Sequence, residues 1–445
     1  MKIRAVIGAG YGDEGKGLTT DYFCEKLSEN GKVLNIKFNG GAQGGHTVER
    51  IVNNRYLHWV FAQYGAGTFT GADTFLGPKF QVDVELMLDE KEHLENMTDN
   101  IGNVYIDRRC PVSIPVDKIF NQTIEEARGE LRHGSCGLGI FETFVRNNRV
   151  EGTALRIGDL FEVYKKDNES EKGLLIIINK VTDMYFEVRK LQLCDQLFRD
   201  SMEVNGYESA KNDVYYFNTL LKEEMNNIEE RNKNFVKYLI ELFNTNEINI
   251  VDGIVDLEDK YESFVFEGEQ GLELSTYTKE NGNHTTPSDT GVGNIMEIIN
   301  GSDKLFKCKD KEFVFITRSY KTKHGAGKFK EYSHDIDKCH KIVDFTNTWN
   351  DFQGSIRFGV ANMTRTKELI QREINKMLEN GFLDIKTSVM ITHLDQTFGF
   401  IVDAEDKEYG DFVRIPYKNV GKSFFGVDTN MYYSFGPRAL DIITL

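Results

Sequence analysis

The sequence predicts an α/β fold built on a large, mostly parallel central sheet that is flanked by helices. Short apolar runs alternate with stretches of helical spacing along most of the 445 residues, and such alternation is typical of a parallel sheet. Glycine-rich or polar segments follow several of the apolar runs, and sites in parallel sheets gather at the carboxyl ends of the strands. We therefore expect these segments to meet at one edge of the sheet.

The first predicted element is a buried strand at residues 3–7, where the run is short and apolar. A glycine-rich turn follows, and residues 18–27 have the spacing of a helix. Further strands are predicted at 32–38, 57–61, 74–76, 248–251, 263–266, 313–316 and 389–391, and helical stretches at 82–94, at 125–131 and from 160 to about 242. No internal repeat or low-complexity linker interrupts this pattern, so we expect a single domain over 1–445 with subdomain elaborations.

The charge balance of the chain limits its expected partners. With 54 Lys and Arg residues against 70 Asp and Glu residues, the net charge is −16 and the isoelectric point is near 5.2, which argues against binding to nucleic acid or to an anionic membrane surface. No apolar run approaches the length that spans a bilayer, and no signal peptide precedes the first strand. The six cysteines form no CxxC pair, which favours a reducing, cytoplasmic compartment.

The glycine-rich turn after the first strand predicts a phosphate site. Residues 12–17 have the sequence GDEGKG. The glycines let backbone N–H groups approach an anion, the following helix adds its dipole, and Lys16 supplies a positive charge. Gly17 stands where a standard P-loop has the Ser or Thr that holds magnesium. Asp13 and Glu14 place carboxylates inside the loop, and a carboxylate beside phosphates serves as a metal ligand or as a base.

Two more glycine-rich loops follow, at 39–47 and at 133–140. The first of these comes directly after the second predicted strand and ends in His46 and Thr47. A lone histidine is more often structural than catalytic, but its position in a glycine loop favours a functional role for His46. Its imidazole can donate a proton or a hydrogen bond to a phosphate oxygen.

Two segments near the C-terminus are candidates for recognition of a purine base. Asp395 lies in residues 392–395, directly after the strand at 389–391. A carboxylate there can accept from both N1–H and the exocyclic amine of guanine, a pair of donors that adenine lacks. A second interpretation is that Asp395 caps the N-terminus of a helix. The turn at 434–438 offers backbone groups that can flank a base, and a plain surface turn fits it equally well.

Taken together, these segments resemble the adenylosuccinate synthetase family, in order and over almost the whole chain. The turn at 12–17 is similar to the family's phosphate loop, and residues 45–47 are similar to its second glycine loop. The matching blocks are 12–17, 45–47, 135–139, 155–160, 266–271, 320–327, 392–395 and 436–437. Each block is modest evidence alone, and their joint order carries the resemblance.

The resemblance implies a P-loop-like GTP-binding ligase fold and a Mg²⁺-dependent reaction in two steps. In the first, a carboxylate removes N1–H from IMP, a 6-oxopurine nucleotide, so that O6 attacks the γ-phosphate of GTP. In the second, the amino group of L-aspartate displaces the 6-phosphoryl group. On matching positions the catalytic residues are Asp13 as the base, His46 as the acid at the phosphates, Lys16 and Gln270.

The resemblance also implies which residues bind each ligand. GTP is assigned to Gly12, Glu14, Gly15, Lys16, Gly17, Gly45, His46, Thr47, His393, Asp395, Ser434 and Gly436. The substrate nucleotide is assigned to Asp13, Gln43, Ser135, Cys136, Arg156, Gln270 and Thr290. The amine donor is assigned to Arg357 and Lys323, with Arg318 as a helper, and the metal to Asp13 and the Gly45 carbonyl. Arg156 matches an arginine that the family lends to a partner's site, which implies a homodimer.

Some positions depart from the family pattern. Ser135 and Cys136 replace two adjacent threonines, and a thiol is a weak hydrogen-bond donor. His393 stands where a lysine precedes the guanine-reading aspartate. The expected stacking on the base is therefore altered, while Asp395 itself is kept.

The largest departure lies at 348–359, where the family has a run of arginines that clamps the two carboxylates of aspartate. Arg357 remains, beside Trp349, Asp351 and Phe352. Loss of bidentate arginines is not a conservative change. The amine donor is therefore the least determined substrate in the sequence.

Two alternatives to a ligase for IMP and aspartate stay open. One is a ligase of the same chemistry that takes another purine nucleotide, such as GMP or dGMP, or another amine. Relatives that make a 2-amino product tend to replace the loop aspartate by a smaller residue, and the presence of Asp13 disfavours that variant. The other is a nucleotide-binding regulatory protein without catalysis, against which the presence of Asp13, Lys16, His46 and Gln270 argues.

Overall fold

The structure is a computed structural model. It describes residues 1–52, 54–166, 170–278, 280, 282, 284–330, 336, 342–344, 347, 349, 354–404, 412–427 and 430–444. Part of the predicted amine-donor segment, including Asp351 and Phe352, lies outside the described residues.

A large sheet organises the described chain. The strands are, in order, β1 (Lys2–Gly8), β2 (Val33–Lys37), β3 (His46–Val52), β4 (Arg55–Phe61), β5 (Asp73–Leu76), β6 (Val104–Asp107), β7 (Ile248–Val251), β8 (Ser263–Glu267), β9 (Lys311–Arg318), β10 (Lys321–Lys323), β11 (Arg357–Gly359), β12 (Lys386–Thr392), β13 (Phe400–Ala404), β14 (Phe412–Pro416), β15 (Met431–Ser434) and β16 (Ile442–Thr444). Within the part of the chain that the structure describes, ten of them form one sheet in the order β16-β15-β12-β9-β1-β8-β2-β5-β6-β7. Neighbouring strands in it are parallel except β15 and β16. The predicted α/β class is confirmed.

Strand β1 lies in the middle of this sheet, between β8 and β9. Its apolar residues Ile3, Ala5, Val6 and Ile7 have no exposed surface, as expected for a parallel strand that is covered on both faces. Because the central strands are parallel, the loops that follow β1, β2, β8, β9 and β12 emerge at the same edge of the sheet. This edge carries the three glycine loops and the predicted base-recognition segment.

Helices pack on both faces of the sheet. They are α1 (Lys16–Ser28), α2 (Val84–Met97), α3 (Pro115–Arg128), α4 (Ile140–Arg149), α5 (Ile157–Lys166), α6 (Ser170–Asn205), α7 (Tyr207–Met225), α8 (Ile228–Asn244), α9 (Gly293–Asn300), α10 (Asp303–Lys307), α11 (Met363–Glu379) and α12 (Lys422–Phe425). One apolar core joins α2, α3 and α5 to α8, and a second lies between the central strands, α9 and α11. Among the described residues, no helix combines the length and the apolar content that crossing a bilayer requires.

One predicted helix differs from the observed one, and one predicted strand has a partner that was not foreseen. The helix expected at 125–131 begins at Pro115 and ends at Arg128, because proline suits the first helical position and the Asp117 carboxylate accepts from the N–H of Ile114 at 3.1 Å. The strand expected at 57–61 is the second half of a hairpin with β3. The pattern missed β3 because its side chains alternate only weakly between buried and exposed positions.

Candidate functional site

The loops at the carboxyl edge of the sheet enclose a cavity of about 1580 Å³. Its walls come from the loops after β1, β2, β8, β9, β12 and β15, from the glycine loop at 133–140, and from residues 284–287. Segments that are far apart in the chain therefore share one space, as expected for a parallel sheet.

The first glycine loop is held in shape by Glu14. Its Oε1 accepts from the N–H groups of Gly10 at 3.0 Å and Gly12 at 2.8 Å, and its Oε2 pairs with Lys16 Nζ at 2.8 Å. Gly15 leads into α1 with a φ of 89°, a left-handed conformation that glycine adopts without strain. The loop is thus formed by its own contacts, and Lys16 lines the cavity.

Asp13 presents an ionised carboxylate in this loop. Its carbonyl accepts from Arg318 Nε, and its Oδ2 lies 3.0 Å from His324 Nε2. Burial opposes ionisation, but the hydrogen bond and charge of His324, together with Arg318 and Lys16, lower the pKa of Asp13 well below its usual value. A general base and a metal ligand both need this charged form.

Backbone strain is concentrated on the cavity wall. Asp13, Gln270, His393 and Phe398 line the cavity and have φ values of 61°, 60°, 59° and 57°. For residues other than glycine such conformations cost about 1–3 kcal/mol each, and they cluster at functional sites. Three of these four residues were predicted as site residues.

His46 begins β3 and lines the cavity. Its Nδ1 contacts Oε1 of Glu267, and the other oxygen of Glu267 accepts from the N–H of Ala66 at 3.0 Å. Burial lowers the pKa of His46, and Glu267 opposes that shift. Because the carboxylate fixes a hydrogen on Nδ1, the Nε2 atom is the one that can meet a phosphate. Negative charge from a bound phosphate favours the charged imidazole, which donates from Nε2.

Two buried carboxylates share Lys37 beneath the second glycine loop. Lys37 Nζ lies 3.1 Å from Oε1 of Glu269 and 3.9 Å from Oε1 of Glu267. Burial raises the pKa of Glu269 to about 7, whereas Lys37 lowers that of Glu267 to about 2 against the effect of burial. Oε2 of Glu269 accepts from the N–H of Gly41 at 3.1 Å. Glu269 therefore supports the loop that leads to His46.

Helix α3 holds the third glycine loop. Nδ2 of Asn121 donates to Ser135 Oγ at 2.7 Å, and Nε2 of Gln122 donates to the Gly137 carbonyl at 3.0 Å. Ser135 and Cys136 line the cavity. Burial raises the pKa of Cys136, so its thiol is neutral and a weak donor.

The two C-terminal segments predicted to recognise a base lie side by side. The N–H of Leu394 donates to the Ser434 carbonyl at 3.1 Å, and Asp395, Ser434 and Gly436 line the cavity. Partial burial raises the pKa of Asp395. Burial lowers the pKa of His393 well below its usual value, so a neutral imidazole stands at the position where the resemblance implies a lysine.

The predicted amine-donor cations are bonded to one loop of the chain. Arg357 donates to the carbonyls of Gly325 at 2.7 Å and Gly327 at 3.1 Å. Lys323 donates to the carbonyl of His324 at 3.2 Å and lines the cavity. Burial and the charge of Arg357 lower the pKa of Lys323 to about 8. These cations therefore brace the loop in this structure.

Most predicted site residues lie on the cavity wall. They are Gly12, Asp13, Gly15, Lys16, Gly17, Gln43, Gly45, His46, Thr47, Ser135, Cys136, Gln270, Arg318, Lys323, His393, Asp395, Ser434 and Gly436. Four others in the described chain are outside the lining, namely Glu14, Arg156, Thr290 and Arg357.

The reasons for these four placements differ. The Glu14 side chain points into its own loop, and Arg357 braces the loop at 325–327. Thr290 is buried, and its hydroxyl donates to the Gly271 carbonyl at 3.0 Å. Arg156 is exposed at the start of α5, and its role at a partner's site stays a prediction.

Several residues of the cavity wall were given no role from the sequence. They are His133, His284, Thr285, Thr286 and His324. His324 lies in the block at 320–327, in a glycine-rich turn, and the same reasoning that selected His46 could have found it. The two threonines precede a proline in a polar stretch, which is a weak signal.

The cavity wall offers oxygen ligands that suit Mg²⁺. The ionised Asp13 and the backbone of Gly45 both belong to it. Over the residues described, no three His, Cys, Asp or Glu side chains converge as a preformed metal cluster. Because Mg²⁺ commonly takes one or two carboxylates and completes its shell with water and substrate phosphates, these residues fit a metal that is shared with a nucleotide.

Comparison with protein families gives a match to adenylosuccinate synthetase over residues 5–345. The adenylosuccinate synthetase of Acaryochloris marina is 31% identical over 157 residues, which are 35% of this chain and 33% of that protein. The one of Borrelia turicatae is 30% identical over 182 residues, 40% of each chain. The chain thus spans about a third to two fifths of the length of these curated relatives.

Solved structures extend the likeness to the whole chain. Fully ligated adenylosuccinate synthetase from Plasmodium falciparum aligns with a TM-score of 0.63 and 16% identity, covering 100% of both chains. Cyanophage S-2L succinoaminodeoxyadenylate synthetase, bound to dGMP and to dATP as an energy donor, aligns with a TM-score of 0.57 and 14% identity, covering 99% of this chain and 95% of that one. At such identities the likeness shows a common fold.

Proposed function

The chain belongs to the adenylosuccinate synthetase family, and we propose that it is a GTP-dependent ligase that joins L-aspartate to IMP. The product is adenylosuccinate, formed through a 6-phosphoryl-IMP intermediate. One observation carries the proposal: the ionised Asp13 shares a single cavity with Lys16 and His46 on the glycine loops and with Asp395 on the base-recognition segment. A base, phosphate-binding groups and a purine-reading carboxylate are the parts that this reaction needs.

In the first step Asp13 takes the proton from N1 of IMP, and O6 forms a bond to the γ-phosphorus of GTP while the bond to the β-phosphate oxygen breaks. Lys16 places a positive charge beside the transferred group, and His46 donates from Nε2 to a phosphate oxygen. Glu267 keeps the imidazole oriented through Nδ1. Positioning and charge stabilisation are the main contributions of proteins to phosphoryl transfer.

A magnesium ion held by Asp13 and the Gly45 carbonyl would neutralise charge on the phosphates when bound. The Asp13 carboxylate is suited to this because its pKa lies well below the usual value. The glycine loops then present N–H groups to the oxygens that the metal leaves available.

In the second step the uncharged amino group of aspartate attacks C6 and loses a proton, the C6–O bond breaks, and phosphate leaves with that proton. Lys323 and the loop braced by Arg357 form the wall assigned to the amine donor. Gln43, Gln270, Ser135 and Cys136 are assigned to the substrate nucleotide, and Thr290, being buried, would act on it through Gly271.

The remaining parts of the proposal concern recognition and assembly. Asp395 selects guanine, with His393, Ser434 and Gly436 around the base. The chain acts as one domain and as a homodimer, to whose second site the exposed Arg156 contributes. It works in the cytoplasm, which is consistent with free thiols at the described cysteines, and it has small-molecule substrates and no nucleic-acid or membrane partner.

A substrate matrix tests this proposal. The purified chain is incubated with Mg²⁺, with GTP or ATP, with IMP, GMP or dGMP, and with aspartate or a panel of other amino acids and ammonia. Phosphate release and the mass of the product are measured. We expect turnover with GTP, IMP and aspartate together, and none when any one of them is left out.

Other outcomes contradict the proposal in distinct ways. Preferred turnover of dGMP or GMP would show that the acceptor is a guanine nucleotide and not IMP. Product from another amine would show that the donor is not aspartate. Binding of GTP and IMP without phosphate release under any combination would indicate a regulatory protein. Asp13→Asn, which we expect to be inactive, serves as the matched control for contaminating activity, because it removes the base with little change of volume.

A further inference from the structure

His324 makes a contact that the predicted site did not include. It follows β10 and lines the cavity, with 20% of its side chain exposed. Its Nε2 lies 3.0 Å from Oδ2 of Asp13 and 3.0 Å from Oδ1 of Asn347. A histidine from the segment after β10 therefore touches the carboxylate to which the proposed function gives the proton transfer.

The hydrogen on Nε2 is fixed by these two partners. Both are oxygen atoms that accept, so Nε2 carries a hydrogen whether the ring is neutral or charged, and the two acceptors share that one hydrogen. The amide of Asn347 is held in this orientation by Asp344. Its Nδ2 donates to Oδ2 of Asp344 at 2.6 Å, and its backbone N–H donates to Oδ1 of Asp344 at 3.1 Å. The orientation of His324 thus follows from a chain of contacts, Asp344 to Asn347 to His324.

The same chain constrains Asp13. Arg318 holds the Asp13 carbonyl, the residue has a φ of 61°, and His324 holds one oxygen of the carboxylate. With one oxygen held by His324, rotation of the carboxylate is restricted. The position of the other oxygen is thereby restricted as well. Displacement of a reacting group by about 1 Å can reduce the rate about a hundredfold, so such a constraint has kinetic value.

We propose that His324 is a positioning residue for phosphoryl transfer: its Nε2–H holds the Asp13 carboxylate in the orientation from which it takes the acceptor proton, and Asn347 holds His324. This inference rests on the proposed function. It does not require His324 to gain or lose a proton, since the contact is a hydrogen bond from Nε2 in either form.

Two other roles for His324 make different predictions. If it only braced its loop, whose carbonyls already accept from Lys323 and Arg357, its loss would lower the melting temperature and leave the first step intact. If it bound the amine donor, its loss would raise the KM for aspartate. The first chemical step must therefore be observed separately.

The kinetic test uses His324→Val, which removes the donor, and His324→Gln, which keeps an N–H that can reach Asp13. Scrambling of oxygen isotope between bridging and non-bridging positions of GTP, with IMP and without aspartate, reports the first step. We expect His324→Val to slow scrambling and kcat by about tenfold to a hundredfold, with the KM for GTP, IMP and aspartate within about twofold. His324→Gln should recover most of the loss.

Asn347→Ala extends the test to the next contact. It should slow scrambling less than His324→Val does, and it should add little in the double variant, because both changes act through one chain of contacts. His93→Gln on the exposed face of α2 is the control for histidine loss outside the cavity. Equal rates for His324→Val and wild type, a change in the aspartate KM alone, or no recovery by His324→Gln would overturn the proposal.

A second measurement needs no turnover. In crystal structures without substrate, the Asp13 carboxylate should occupy one position in the wild type and in His324→Gln, and a shifted or second position in His324→Val. An unchanged Asp13 in His324→Val would overturn the inference even if the enzyme were slow. If the wild type has no ligase activity, the proposed function fails, while this comparison still decides whether His324 positions Asp13.

Discussion

Two walls of the cavity are stabilised in different ways. We call residues 8–17 and 40–47 the phosphate wall, and residues 323–327 with Arg357 the donor wall. On the phosphate wall, nitrogen-bearing side chains meet carboxylates: Lys16 pairs with Glu14 at 2.8 Å, and His46 contacts Glu267. On the donor wall, cations donate to neutral carbonyl groups of the loop.

The two arrangements prepare the walls for different ligands. A pair of opposite charges is nearly neutral as a unit, so pairing Lys16 with Glu14 offsets part of the desolvation cost of burying each charge. Lys323 on the donor wall donates instead to a neutral carbonyl, and below its pKa of about 8 it is positively charged and attractive to a carboxylate. The phosphate wall is therefore preorganised, and Lys323 gives the donor wall a positive charge that can meet a carboxylate.

The largest effect is expected from Asp13→Ala on the phosphate wall. The change removes a general base and a proposed metal ligand, and general-base contributions alone are about a hundredfold to ten-thousandfold. Turnover should fall by at least that range while the melting temperature stays close to that of the wild type. Steady-state kcat and thermal unfolding measure the two quantities, and more than about a tenth of the wild-type activity would contradict the role.

Asp395→Ala should change the choice of nucleotide by about a thousandfold. A carboxylate that pairs with guanine leaves polar groups unsatisfied when adenine is bound, and the variant loses that discrimination. The ratio of kcat/KM for GTP to that for ATP should approach one. If the wild type already uses ATP as well as GTP, the assignment of guanine to Asp395 is wrong.

His46→Asn should slow phosphoryl transfer about a hundredfold with little change in the KM for GTP. Asparagine keeps a donor of similar reach but cannot transfer a proton, which isolates the acid role from binding. Isotope scrambling in GTP measures the step. A lowered melting temperature with unchanged specific activity would instead assign His46 a structural role through Glu267.

Arg357→Leu should raise the KM for aspartate at least about tenfold, or about 1.4 kcal/mol, within the range for a hydrogen bond to a charged group. The variant removes a positive charge and releases the carbonyls of Gly325 and Gly327. Arg357→Lys is the matched control, because it keeps the charge without the fork. If the KM for aspartate does not change, Arg357 on the donor wall has no role in binding the amine.

The smallest effect concerns pH. Because burial and Arg357 lower the pKa of Lys323 to about 8, its positive charge is lost as the pH rises through that value. The KM for aspartate should rise about fourfold between about pH 7 and about pH 8.5, and Lys323→Arg should abolish the rise. Lys323 binds its proton more weakly in the folded chain than in the unfolded chain. The cost of this charged lysine to the free energy of unfolding therefore falls as the pH rises from about 8 toward the ordinary pKa of lysine. A flat KM profile in the wild type would show that Lys323 does not act as a cation.

The phosphate wall was more predictable from sequence than the donor wall. The segment GDEGKG joins a strand to a helix within residues 12–17, so local pattern and local chemistry coincide. The prediction of Glu14 as a ligand contact did not foresee that its carboxylate binds the N–H groups of Gly10 and Gly12. On the donor wall the cations were named, but their carbonyl partners were not, since these depend on the pairing of β10 with β11.

The fold class, the order of the glycine loops and the residue types in each loop can be predicted from the sequence, because they follow from local spacing and short-range chemistry. Which loops meet depends on the order of the strands in the folded sheet. Strand β8 enters between β1 and β2 although it comes more than two hundred residues later, and this insertion brings Glu267 to His46. The contact of His324 with Asp13 arises in the same way, because strand order is set by packing of the whole sheet and no local pattern encodes it.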